Sequence, residues 1–214
     1  MVEFDALIAG YQRFRTGAYV EQRERYNQLS TEGQRPRTMI IACSDSRVDP
    51  SRVFDSAPGQ LFIVRNVANL VPPYETDRGY HSTSAAIEFA VTQLEVEELI
   101  VLGHAQCGGI TASLTGRFSG ADHGAGAFID HWMELIEPAR ATTMAEAAAC
   151  GSNVQHLLEL AAIRVSLANL LSFPFVVERV ATGRLRLRGA WFSIADGSLS
   201  LLDGDDFATL ALPS

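Results

Sequence analysis

Met39-Ile40-Ile41-Ala42-Cys43-Ser44-Asp45-Ser46-Arg47 is an apolar run that ends in a thiol and an oppositely charged pair. A short apolar run bounded by turn residues reads as a buried strand of a parallel sheet. The pattern recurs further along as Leu99-Ile100-Val101-Leu102-Gly103, followed by His104-Ala105-Gln106-Cys107. Open α/β sheets bind ligands at the carboxyl ends of their strands, which is where both chemical words fall. Two thiols and one imidazole at two neighbouring strand ends suit a zinc ion with three protein ligands and one open position.

Working outward, Phe4, Leu7, Ile8, Tyr11 and Phe14 keep helical spacing, so residues 3 to 30 read as one helix with an apolar stripe. That helix precedes the first strand and cannot bury its stripe alone; it is expected to pack on the main body or on a partner subunit. Leu61-Phe62-Ile63-Val64 is the second strand. Pro72-Pro73 forces an extended or turning segment, and residues 83 to 95 have helical spacing before the strand at 98 to 103. Six glycine, histidine and aspartate positions between Thr115 and Ala127 mark a loop. Residues 153 to 171 are apolar nearly all round, as expected of a buried helix. Arg184 to Ile194 and Ser198 to Leu202, joined through Asp196-Gly197, form a closing hairpin. Strands separated by helices predict an α/β fold with a mainly parallel sheet, in a single domain over 1–214 whose residues 1–35 are a helical arm.

Composition narrows the function. The chain has 214 residues, 47% of them hydrophobic, and a formal net charge of −8, which argues against nucleic acid as a partner. All 17 basic residues are arginine, so every lysine-based mechanism is excluded. Three cysteines with no close pair fit a reducing compartment better than a disulfide framework. With an acidic amino terminus and no run of the roughly 18 to 20 apolar residues that spans a bilayer, the expectation is a cytoplasmic protein with no membrane partner.

The chemistry of the two words follows from charge. Two thiolates and a neutral imidazole leave a bound zinc formally neutral, still able to acidify water strongly. Cys107 opens a helix whose dipole favours its thiolate. Asp45 lies two residues past Cys43, and Arg47 keeps its carboxylate ionised and oriented. That carboxylate either accepts a hydrogen bond beside the open position or becomes the fourth ligand. Cys150 reads as a small buried hydrophobe. His81, His123, His131 and His156 read as surface or cap residues, with His123 the only one kept for a proton relay.

Cys43-Ser44-Asp45-Ser46-Arg47-Val48 and Gly103-His104-Ala105-Gln106-Cys107-Gly108-Gly109 resemble the zinc motifs of the β-class carbonic anhydrases, and Val64-Arg65-Asn66-Val67-Ala68-Asn69 resembles that family's third recurring stretch. The resemblance implies that Cys43, His104 and Cys107 ligate one Zn2+ per subunit and that Asp45 and Arg47 form a catalytic dyad. It implies a four-stranded parallel core with an antiparallel edge strand, and a homodimer, or a larger assembly, joined by the amino-terminal helices. The activity implied is reversible hydration of CO2 to bicarbonate and a proton by zinc-bound hydroxide. Gln34 falls where the plant-like branch keeps a glutamine that donates to bound CO2 or bicarbonate, and it is expected from across the subunit interface. Phe62, Val67 and Phe89 fall at the apolar wall positions, and the Gly108 amide is a further substrate contact. Ile40 stands where the allosteric branch has tryptophan, so an open, non-allosteric site is expected, with Asp45 only a conditional fourth ligand. The rivals are a carbonyl sulfide or carbon disulfide hydrolase on the same site and a non-catalytic zinc protein that senses bicarbonate.

Overall fold

The computed structural model describes residues 3–211. Its central strand β1 (Thr38–Cys43) is buried on both faces because Met39 and Ile41 enter one apolar layer while Ile40 and Ala42 enter the other. β2 (Leu61–Asn66) and β3 (Glu98–His104) flank it in parallel, and β4 (Arg186–Phe192) pairs in parallel with β3. β5 (Leu199–Asp203) and β6 (Asp206–Thr209) complete a six-stranded sheet in the order β2-β1-β3-β4-β5-β6, both added antiparallel. The four-stranded parallel core and the antiparallel edge are as expected. β6 is an addition, folded back through Gly204, whose φ of +59° suits glycine at that turn.

The arm departs from the expected single helix. It is three pieces, α1 (Phe4–Thr16), α2 (Ala18–Glu21) and α3 (Arg23–Glu32). The break at Gly17 lets Tyr19 stack on Tyr26 at 5.0 Å between ring centres, with Phe14 edge-on to both. Arg25 donates to the Pro58 carbonyl and Leu29 lies over Gly59, so α3 is anchored to the body. α1 buries none of its residues, and the stripe of Phe4, Leu7, Ile8, Tyr11 and Phe14 faces solvent.

The short α4 (Pro50–Val53) is capped by Asp49, which accepts from the N–H groups of Ser51 and Arg52. α5 (Ser82–Glu88) runs on into a π turn over Phe89–Gln93. α6 (Gly108–Thr115), α7 (Ala127–Met133) and α8 (Glu137–Cys150) follow β3. α9 (Val154–Leu170) is the core helix: Leu158, Ala162, Ile163 and Leu170 are buried, and burying a side chain such as Ile163 contributes about 1.5–3 kcal/mol. α10 (Pro174–Ala181) leads into β4. Ile163 packs so tightly on β3 that a Cβ at Gly103 would stand 2.7 Å from its Cδ1, so only glycine lets the helix approach the strand. No single helix among the described residues is long and apolar enough to cross a membrane. Cys150 corrects an expectation: it is exposed, because it is the last residue of α8 before a left-handed Gly151 and that helix buries only Thr143.

Candidate active site

Cys43 is the last residue of β1 and His104 the last of β3, so the sheet itself sets them side by side. Cys107 caps α6 directly after the two-residue turn, Ala105-Gln106, that leaves β3. All three are buried, and their ligand atoms lie within 4.8 Å of one another. Sγ of Cys43 and Sγ of Cys107 are 3.9 Å apart. Two thiolates on one tetrahedral zinc at about 2.3 Å stand about 3.8 Å apart, so the spacing matches.

The imidazole is prepared as well. Nδ1 of His104 lies 2.8 Å from the Ala105 carbonyl, which can only accept, so Nδ1 carries the hydrogen. Nε2 is thereby left with its lone pair, buried and without a hydrogen-bond partner. A buried, unpartnered nitrogen beside two thiols is costly unless something fills the gap, and a soft dication does so. The residues fit zinc.

Backbone N–H groups favour the thiolates. The hydrogen bond from Cys107 holds the Cys43 thiol well below its ordinary value, helped by the N–H groups of Asp45 and Ala68. The same hydrogen bond, with burial, pushes Cys107 up, against the pull of the Ile110 and Gly109 N–H groups. Either sulfur can donate to the other across the 3.9 Å between them, and a bound dication would displace that proton. Burial pulls the His104 pKa down, but the neighbouring Cys43 and the Ala105 carbonyl more than reverse it. Ala68 and Asn69 adopt left-handed φ values of +61° and +50°, a strained turn at the end of the Val64–Asn69 stretch that brings the Ala68 N–H to Cys43.

Asp45 and Arg47 form a closed fork. Arg47 donates from Nε to Oδ1 at 2.9 Å and from Nη2 to Oδ2 at 2.8 Å, while its backbone N–H also donates to Oδ1. The side-chain hydrogen bonds from Arg47 hold the Asp45 carboxyl well below the usual carboxylate range, and its N–H adds to this. A further bond from Arg47 Nη2 to the Gln106 carbonyl ties the dyad to the second motif. Oδ2 stands 4.0 Å from His104 Nε2, adjacent to the ligand set but turned onto the guanidinium.

Other expected residues divide into two groups. Val67 abuts the site, since a Cβ on Gly109 would stand 2.8 Å from its Cγ1, and Gly108 opens α6 directly after Cys107. Gln34, Phe62 and Phe89 are elsewhere. Phe62 precedes Asn66, the register partner of Cys43, by four residues, about 13 Å along the strand. Phe89 packs on Phe62 at 5.9 Å between ring centres, and Gln34 is exposed ahead of β1. Within one chain, the expected slot of Phe62, Val67 and Phe89 does not form, because the phenylalanines lie towards the opposite end of the sheet.

The structure adds residues that reasoning from motifs missed. Arg65 donates to the carbonyls of Cys43, Asp45 and Val48, holding the first motif loop in shape. A charged residue in an otherwise apolar strand is the signal that could have found it. Trp132 donates to the Val67 carbonyl, and Glu159 and Gln155 reach Cys107 from α9. Of the other histidines, His123 is exposed and edge-on to Phe128, and His131 pairs with Glu134 at the surface.

A Cys-His-Cys cluster of metal-ligating side chains at the carboxyl ends of a parallel sheet, with an arginine-locked carboxylate beside it, defines the class to which the protein belongs. The family profile for carbonic anhydrase matches residues 38–199. Over 202 residues the chain is 37% identical to beta carbonic anhydrase 3 of Arabidopsis thaliana, covering 94% of this chain and 77% of that protein. It is 39% identical over 195 residues to the chloroplastic beta carbonic anhydrase 5 of the same plant, covering 90% of this chain and 62% of that longer protein. Among solved structures, the β-carbonic anhydrase CcaA superposes with a TM-score of 0.86 at 31% identity, covering 97% of this chain and 92% of that one. A tetrameric β-carbonic anhydrase from Sordaria macrospora superposes at 0.80 with 25% identity, covering 97% of this chain and 98% of that one. The chain belongs to the β-class carbonic anhydrases, and the plant relatives agree with the plant-like branch that its motifs resemble.

Proposed function

We propose that this protein catalyses the reversible hydration of CO2 to bicarbonate and a proton, using one zinc ion held by Cys43, His104 and Cys107. The observation that carries the reading is the unpartnered Nε2 of His104, buried beside two sulfurs at a zinc-like separation of 3.9 Å. When bound, zinc acidifies a coordinated water towards a pKa of about 7, so that hydroxide is available near neutral pH.

The chain's own residues do the rest. Asp45 stays ionised because Arg47 holds both of its oxygens, and Oδ2 keeps a free lone pair beside the ligand set. It accepts the hydrogen of the attacking nucleophile and turns the reacting lone pair towards the substrate. Val67 supplies an apolar wall and the Gly108 N–H, at the start of α6, a donor to a substrate oxygen. Gln34, Phe62 and Phe89 reach a metal centre only in another copy, so the complete site belongs to an oligomer, at least a dimer. The three free thiols suit a reducing compartment such as the cytoplasm.

The test is stopped-flow CO2 hydration by zinc-quantified protein between pH 7 and 9, with carbonyl sulfide as a parallel substrate. Fast hydration already present near pH 7 is expected. Activity confined to the alkaline end would mean that Asp45 closes the metal. Turnover of carbonyl sulfide without CO2 hydration would reassign the substrate, and inactivity with zinc bound would leave a non-catalytic zinc protein.

A further inference from the structure

α9 carries a buried carboxylate that reaches the backbone of Cys107. Glu159 is only 3% exposed, and none of the arginines of the described residues pairs with it. Nδ1 of His156 stands 4.0 Å from its Oε2. A buried carboxylate without a cation is unfavourable unless hydrogen bonds replace its water, and here three N–H donors converge on it. Oε1 accepts from the backbone N–H of Cys107 at 3.1 Å and from Nε2 of Gln155 at 2.8 Å. Oε2 accepts from Nε1 of Trp191 at 3.2 Å.

The other side of the Cys107 residue is held by the same helix. The second hydrogen of Gln155 Nε2 goes to the Cys107 carbonyl at 3.2 Å, and Thr111 Oγ1 reaches that carbonyl at 3.1 Å. Both backbone polar groups of the metal ligand are therefore bonded to side chains, one to Glu159 and one to Gln155. With φ and ψ of Cys107 held in this manner, the direction of its Cα–Cβ bond is held too, which sets the point from which Sγ reaches the ligand set.

We infer that Glu159 is a positioning residue for the metal ligand Cys107, and that it must be a carboxylate. The inference rests on the zinc reading of the Cys43, His104 and Cys107 site. Three donors meet one side chain, and only an acceptor on both oxygens satisfies all three. Glutamine has the same shape but offers one NH2, which meets either Trp191 Nε1–H or the pair of donors from Cys107 and Gln155. To relieve that clash the Cys107 backbone or the indole must move, and Sγ moves with the backbone.

The test compares E159Q, W191F and the double variant E159Q/W191F, each as folded full-length protein. Zinc dissociation constants come from chelator competition. The visible spectrum of the cobalt(II)-loaded proteins reports ligand geometry, and thermal unfolding of the metal-free forms reports the fold. E159Q is expected to bind zinc 10- to 100-fold more weakly, the range seen when a group that orients a metal ligand is removed. Its cobalt ligand-field bands should shift in position and intensity. W191F alone leaves Glu159 two donors and is expected to bind zinc nearly normally. The double variant removes the donor that opposes the new NH2, so zinc affinity and the cobalt spectrum should return towards those of the unsubstituted protein. An unchanged zinc affinity and cobalt spectrum in E159Q would overturn the inference. So would a loss of zinc that tracks unfolding of the metal-free protein and is not rescued by W191F, since that marks a merely structural carboxylate. If the unsubstituted protein itself binds no zinc, the metal reading fails and the inference fails with it; the first two outcomes leave that reading intact.

Discussion

The two ends of the central sheet differ in how far one chain completes them. At the carboxyl ends of β1 and β3, Cys43, His104 and Cys107 are buried, Arg47 fixes Asp45, and Arg65 and Glu159 hold the backbone around the ligands. Towards the amino ends, Gln34 and Phe89 are exposed, and the arm presents Phe4, Leu7 and Tyr11 to water. The first region is the work of one chain. The second leaves apolar side chains in the open. A ligand cluster can be finished by local geometry because two of its side chains end neighbouring strands and the third caps the helix that follows. A substrate slot that needs groups from both ends of a sheet needs a second copy.

The largest expected effect falls at the finished end. Replacing Asp45 with asparagine removes the charge and one of the two acceptor oxygens while keeping the shape, and CO2 turnover should fall by roughly 10²–10⁴-fold, the usual contribution of a positioned acid or base. Zinc content should stay at one per subunit. A loss of zinc that parallels the loss of turnover would instead make Asp45 a ligand and would close the site, breaking the contrast between a metal centre and its open position.

How much of this was legible in the chain follows the same divide. The parallel core and the ligand trio could be read because each ligand follows a short apolar run, and a strand's end is a place as well as a pattern. The left-handed Ala68 and Asn69 could not, since neither residue type announces a positive φ. Glu159 was hidden by its surroundings: in a helix apolar nearly all round, the single acidic residue was the informative one, and attention to periodicity passed over it. The arm was read as one helix because apolar spacing survives a break at Gly17. β6 is four residues long with little apolar content, too short to give a period. Phe62 and Phe89 were legible as a pair, and they do pack on each other, but their distance from the ligand cluster along the sheet was not.

The unfinished end supplies the next prediction. Gln34→Ala should lower turnover by roughly 10²-fold if it donates to the substrate, the cost of losing one such donor. An aspartate at Tyr11 should split the assembly, seen as a lower mass in sedimentation, and activity should fall with it although zinc stays bound. Full activity in a monomer would show that one chain suffices and would erase the difference between the two ends.

Arg47 tests the charge logic more gently. Asp45 has a folded pKa below its unfolded value of about 3.9, so its contribution to stability is present above that value and is lost as pH falls below it. Between pH 5 and 9 it stays ionised, and no limb of a pH–rate profile in that range belongs to it. In Arg47→Met the Asp45 pKa rises, and the acid-unfolding midpoint should move to higher pH. A midpoint unchanged within error would show that the fork orients the carboxylate without stabilising its charge.

The smallest effect belongs to the third cysteine, and it marks where the metal centre stops. Cys150 is exposed at the end of α8, in none of the clusters that hold Cys43 and Cys107. Cys150→Ser should change stability by no more than about 0.5 kcal/mol, as surface substitutions do, and leave zinc content untouched. A thiol reagent separates the three sulfurs directly. In the zinc-loaded protein one thiol should react at once, and Cys150→Ser should abolish that phase. Removing zinc with a chelator should expose two more, slowed by burial, because the metal no longer shields them. Three thiols reacting together before chelation would mean that zinc does not hold Cys43 and Cys107, and the contrast between a finished and an unfinished end of the sheet would fall with it.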